Sequence, residues 1–173
     1  MPAMNKPVLA AACALTIASC TSSQPTEIVA GVSTQIQVPE YLKEVGLVVQ
    51  AGGRLQFCES YRVQDQTVTP PASLGVLDRE NRAPVTTQVL GFREPQSRFA
   101  DDCVVEQNVD ADDPEVMVVR RRRTTFVDER ILFLPLPLKE SCSEAACGDD
   151  ETCVGGVCVP IEVESSLLSE YKN

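Results

Sequence analysis

From residue 26 to residue 138 the apolar positions alternate with polar ones in short runs, and no window sustains a helical period. Ile28, Ala30 and Val32 share one parity, and Val45, Leu47 and Val49 form the next such face. Between them Gln37-Val38-Pro39-Glu40 turns the chain, and Tyr41-Leu42-Lys43 has room for one helical turn. Ala51-Gly52-Gly53 predicts a hairpin turn, because glycine accepts the positive φ such turns require. It leads into a strand from Arg54 to Val63. Leu55, Phe57, Tyr61 and Val63 lie on one parity, with Cys58 on the other, so Cys58 is expected to point away from the apolar face. Thr69-Pro70-Pro71-Ala72 is excluded from a strand interior. Val85 to Phe92 reads as a strand with a slip of phase. Val85 and Val89 face one way, Leu90 and Phe92 the other, which predicts a bulge near Val89.

The last two strands, Glu115 to Val127 and Arg130 to Leu138, are expected to form a hairpin around Asp128-Glu129. Leu132, Leu134, Leu136 and Leu138 share one parity and should be buried, while Pro135 and Pro137 share the other. Prolines on one parity strip donors from one side of the strand, which places it at a sheet edge. Several such strands over roughly a hundred residues predict an all-β chain: an immunoglobulin/transthyretin-like β-sandwich followed by a small disulfide-rich module. The expected division is a leader over 1–19, a tether over 20–25, the sandwich over 26–138, a cysteine-rich module over 139–160 and an acidic tail over 161–173. Leu167-Leu168 could support a frayed helix in the tail.

The first nineteen residues change what such a domain is for. Lys6 is their only charge, and an apolar stretch from Pro7 leads to small residues, the pattern of a secretory signal. The apolar run is shorter than the roughly 20 residues a membrane span needs. Ile17-Ala18-Ser19-Cys20 resembles the lipobox of bacterial lipoproteins: an aliphatic residue, two small ones, then the modified cysteine. The resemblance implies a covalent lipid on Cys20 and cleavage before it. Thr21 follows with no aspartate, which in that family resembles onward export to the outer membrane. The expected localisation is therefore the outer membrane, lipid-anchored, on its periplasmic or cell-surface face. The first partner is the lipid bilayer itself.

Cysteine use agrees with an oxidising compartment. Of eight cysteines, Cys13 lies in the leader and Cys20 is the lipid site. The remaining six, Cys58, Cys103, Cys142, Cys147, Cys153 and Cys158, are an even set and predict a disulfide framework. Cys58 is expected to pair with Cys103, stapling a polar loop over the outer sheet face. Closing a loop of about 46 residues would contribute about 4 kcal/mol on the chain-entropy estimate. The other four fall within Cys142–Cys158, spaced C-x4-C-x5-C-x4-C with Gly155-Gly156 before the last. This spacing resembles the small cysteine-rich modules of EGF-like and Dickkopf-type repeats, and units appended to myxobacterial surface proteins. Four cysteines allow three pairings, of which Cys142–Cys153 with Cys147–Cys158 is favoured. The layout as a whole, from lipobox to cysteine module, resembles uncharacterised myxobacterial lipoproteins. That resemblance carries no activity and supplies no site residues.

Charge and composition narrow the chemistry. The net charge is −10, which argues against nucleic acid as a partner. Histidine and tryptophan are absent, with five phenylalanines and three tyrosines. That removes Ser–His–Asp and Cys–His catalysis and the commonest zinc ligand, and it leaves few stacking platforms. No catalytic residue, no metal ligand and no cofactor beyond the lipid on Cys20 is nominated. Asp110, Asp112 and Asp113 space like the start of a calcium loop but lack its glycine, and Asp149-Asp150-Glu151 is read as solvated. Arg120-Arg121-Arg122-Arg123 is the strongest local signal. Guanidinium groups grip anions bidentately, so the run could take an anionic glycan or an acidic partner segment. In a strand, however, Arg120 and Arg122 point one way and Arg121 and Arg123 the other, and the plainer expectation is solubility and edge protection. The functional expectation is a non-catalytic, lipid-anchored binding or scaffold protein with an unknown protein or glycan partner.

Overall fold

A computed structural model of the chain describes residues 24–63, 68–79, 82–96 and 115–172. Among these residues seven strands form the sandwich: β1 (Glu27–Thr34), β2 (Glu44–Ala51), β3 (Arg54–Arg62), β4 (Ala72–Leu77), β5 (Val85–Phe92), β6 (Val116–Thr124) and β7 (Ile131–Leu138). Two short strands follow, β8 (Glu151–Val154) and β9 (Val157–Pro160), and there is no α-helix among the described residues. One sheet has three strands in the order β4-β1-β7 and the other has four in the order β3-β2-β5-β6. The fold is thus an all-β sandwich. In immunoglobulin constant domains strands A and B share a sheet. Here β1 and β2 lie in opposite sheets, so the strand order is not that of an immunoglobulin constant domain.

The alternation that forms these strands also builds the core. Ala30 and Val32 of β1, with Leu136 and Leu138 of β7, meet Val45 and Leu47 of β2, Val89 of β5 and Met117 and Val118 of β6. Ile28, Leu132 and Leu134 continue this layer towards Val49, Val85 and Phe126. All four leucines of β7 are buried. The segment before β2 is a hydrogen-bonded turn and not a helical one, with Tyr41 and Leu42 N–H both donating to the Gln37 carbonyl. Its Leu42 is fully buried.

Two register details differ from the pattern. No bulge occurs at Val89, where β2 and β5 pair without interruption; the shift in β5–β6 pairing lies between Gly91 and Phe92. The phase slip has another cause: β5 is central and buried on both faces. Leu90 and Phe92 join Val48 in a second apolar cluster on the outer face, with Leu55 and Cys58 packed against it. Leu55 reaches that face because Val49 pairs with Phe57 and Gln50 with Leu55, leaving Gln56 as the extra residue of a bulge. Cys58 lies opposite Val48, on the outer face as its parity predicts.

The expected β6–β7 hairpin does not form. β6 pairs with β5, whereas β7 crosses to the other sheet and runs parallel to β1 from Glu27↔Ile131 to Thr34↔Leu138. Alternation tells which face of a strand is apolar, not which sheet it joins. β7 is an edge strand in its sheet, as its prolines require.

Candidate functional site

Each strand edge of the sandwich is finished in its own way, and the finish decides where a partner can attach. The edge of β6 is closed by the cysteine-rich segment. Cys142 is bonded to Cys153 and Cys147 to Cys158, the pairing favoured among the three. β8 and β9 form a hairpin around Gly155-Gly156, both at positive φ as a two-residue turn demands. This segment is no detached knot, because Cys142 and Cys153 are buried within the main sandwich core. Its backbone continues the edge: Glu144 N–H donates to the Met117 carbonyl, Arg123 N–H to the Ile161 carbonyl, and Val163 N–H to the Arg123 carbonyl. Arg121 N–H donates to the Thr152 hydroxyl at 3.0 Å.

The four arginines hold the same segment. Arg120, only 7% exposed, donates from Nη1 to the Cys153 carbonyl at 2.5 Å. Arg121 reaches the Asp149 carbonyl at 2.5 Å and the Gln88 side chain at 2.9 Å. Arg122 donates to the Pro160 carbonyl at 3.3 Å. Arg123 bridges Glu162 at 2.8 Å and Asp150 at 3.2 Å. The alternation of the run places two side chains on each face of β6. Both pairs nevertheless meet one segment, because that segment wraps round the edge. Burial, with the charge of Arg122 second, pushes the Arg120 guanidinium down to about 10. It remains charged at neutral pH, and the Cys153 carbonyl offsets part of its lost hydration. Arg121 is lowered chiefly by burial, against the opposing field of Asp149.

The tail closes the edge of β7. Phe133 N–H donates to the Ser169 carbonyl and Tyr171 N–H to the Ile131 carbonyl. Tyr171 stacks on Phe133 with ring centroids 6.1 Å apart, and Arg130 pairs with Glu170 at 3.0 Å. The outward N–H positions of β7 are its odd residues, so Pro135 and Pro137 leave no donor beyond the reach of the tail. Where a frayed helix was expected there is a single 3-10 turn over Ser165–Leu167, and Leu168 is packed into the core layer.

On the opposite side of the sandwich, between β3 and β4, no strand among the described residues joins the two sheets' edges. Two cavities lie there, sharing Leu74 as a wall. One, of about 240 Å³, is lined by Val49, Ala51, Phe57, Leu74 and Val76 among others. The second, of about 180 Å³, is lined by Val45, Leu47, Tyr61, Ala72 and Leu74 among others. Burial beside this cavity, and the charge of Glu59, raise the Tyr61 phenol above its usual range. Neither the cavities nor β4 stand out in the alternation of apolar and polar residues. The available signal was the short apolar run Ala72 to Leu77 between Pro70-Pro71 and Asp78.

Of the remaining expected site residues, Cys58 is disulfide-bonded, while its expected partner Cys103 lies outside the described residues. Cys20 and the acidic loop of Asp110, Asp112 and Asp113 lie outside them too. Asp149, Asp150 and Glu151 border β8, and among the described residues no three acidic, cysteine or histidine side chains converge as a metal site would require. Compared with protein-family models, with curated proteins and with solved structures, the chain finds no significant match.

Proposed function

We propose that this chain is an outer-membrane lipoprotein, anchored by lipid on Cys20, whose β-sandwich binds or scaffolds another molecule without catalysis. The observation that carries this reading is the Ile17-Ala18-Ser19-Cys20 motif, which stands only six residues ahead of β1. Those six residues, even fully extended, reach no more than about 20 Å, so the sandwich stays against the membrane surface. Two or three acyl chains on one cysteine make such attachment effectively permanent, since each buried CH₂ contributes about 0.8 kcal/mol. The disulfides within Cys142–Cys158 suit the oxidising side of that membrane. The arginine run supports a structural role better than a glycan grip, because each of the four guanidinium groups donates to Cys153, Asp149, Pro160 or Glu162 of this same chain. Intact-mass measurement of membrane-extracted protein tests the anchor. A mature species beginning at Cys20 with added acyl mass is expected, and Cys20→Ala should move the protein to the soluble fraction. A lipid-free species beginning beyond residue 20 would rule the reading out.

A further inference from the structure

Among the described residues the sandwich sets four strands against three, and the shortfall lies on one side. Among the described residues no strand faces β3 beyond β4, and the two cavities occupy that space. A fourth strand beside β4 would fill it.

β4 is also the edge built to accept one. Asp78 N–H donates to the Thr26 carbonyl, which fixes the hydrogen-bonding phase of the β1–β4 pair. Ala72, Leu74 and Val76 are therefore the residues bonded to β1. Ser73, Gly75 and Leu77 turn both N–H and C=O away from it, towards the open edge. Side chains follow the same alternation: Leu74 and Val76 pack inward, while Ser73, Gly75 and Leu77 are exposed. The pairing with β1 has no register shift, and β4 contains no charged residue and no proline. Each other edge carries a blocking device. β6 has the cysteine-rich segment, β7 the tail and two prolines, and β3 has Arg54, Glu59, Arg62 and a bulge. Edges without such devices pair with other chains.

We propose that the free edge of β4 is a docking site for an extended segment of another protein, with apolar side chains at alternate positions. The backbone of that segment would bond Ser73, Gly75 and Leu77, and its inward side chains would enter the cavities on either side of Leu74. The bonding edge selects a peptide over an acyl chain, which has no amide to offer. A second copy of this chain is disfavoured by two facts. Each copy carries a net charge of −10, so copies repel. A six-residue edge is only about 20 Å long, too little to supply by itself the roughly 1,000 Å² that a stable pair buries. The peptide gains the cavities as well as the edge, by the mode known as strand addition.

This site deepens the binding reading above and is independent of the lipid. The test uses the full chain in phospholipid nanodiscs and a nine-residue peptide alternating threonine and valine. Peptide binding with slowed amide exchange at Ser73, Gly75 and Leu77 is expected. Ser73→Pro, which removes an outward donor, should weaken it at least tenfold. Leu77→Lys, which leaves the backbone intact, should do the same by charging the edge. A fully N-methylated peptide should not bind. No binding at millimolar peptide would overturn the proposal. Binding indifferent to both substitutions and to methylation would make the cavities a site for any apolar ligand, and would also overturn it. So would concentration-dependent self-association lost in Ser73→Pro, which would put a second copy on the edge. Intact mass from the same preparation reports lipid on Cys20, so a failed anchor and a failed docking site are told apart.

Discussion

The two open sides of the sandwich receive opposite treatment. On one side β6 and β7 are sealed by the chain that follows them, with two disulfides, four arginines and a backbone seam. On the other, β3 is defended by charge and a bulge, and among the described residues β4 has no strand beyond it, above two cavities. The sealed side shows what closing an edge requires in this fold: covalent links, buried hydrogen bonds and some thirty residues, against a background where a single surface ion pair is worth under about 1 kcal/mol. At β4 none of the described residues supplies such material. If the docking proposal holds, the difference separates a structural half of the molecule from a half that serves recognition.

The contrast breaks or sharpens under substitution. The largest loss is expected from Cys142→Ala with Cys153→Ala, since this bridge both closes a loop and fills the main core. We expect about 4 kcal/mol in urea unfolding, of which about 3 is the loop term. Removing Cys147 and Cys158, a bridge of equal sequence separation with both sulfurs half-buried, should cost about 1 kcal/mol less. If the two losses are equal, Cys142–Cys153 is a staple and not part of the core. Next comes Arg120→Ala, which bares the buried Cys153 carbonyl and should cost about 3 kcal/mol, while Arg122→Ala stays within about 1. Equal effects would refute the assignment of Arg120 as the central clamp.

Leu168→Ala, in the tail, should cost about 2 kcal/mol through its buried side chain. It should also speed amide exchange at Phe133, whose N–H the tail covers. Smallest of all is the open side. Leu77→Lys, at a side chain about 50% exposed, should leave unfolding within about 0.5 kcal/mol of the parent. A loss as large as that of Arg120→Ala would mean β4 is integral to the core and not a free edge.

Much of this was legible from the residues. The parity of Leu132 to Leu138 located the core face of β7, and Pro135 with Pro137 located its free side. Cys58 reached the outer face for the reason its position suggested, the regular alternation of β3 on that side of the bulge at Gln56. What escaped was long-range choice. The parallel docking of β7 on β1, in place of a hairpin with β6, is decided by packing between sheets and leaves no local trace. The purpose of Arg120–Arg123 was hidden similarly, because their partners in the C-terminal segment sit 27 to 39 residues on in the chain. β4 escaped because six residues including serine and glycine barely rise above a loop in any hydrophobic profile.

The parallel pairing of β1 with β7 has a consequence for biogenesis. The first strand of the sandwich finds its final neighbour only when the last strand exists, so the small sheet cannot be completed from the leading end alone. Non-local pairing of this kind slows folding. If the chain is exported as proposed, threading a translocation pore while still unfolded, that delay would be useful: the polypeptide would not lock into shape before its rear portion had crossed.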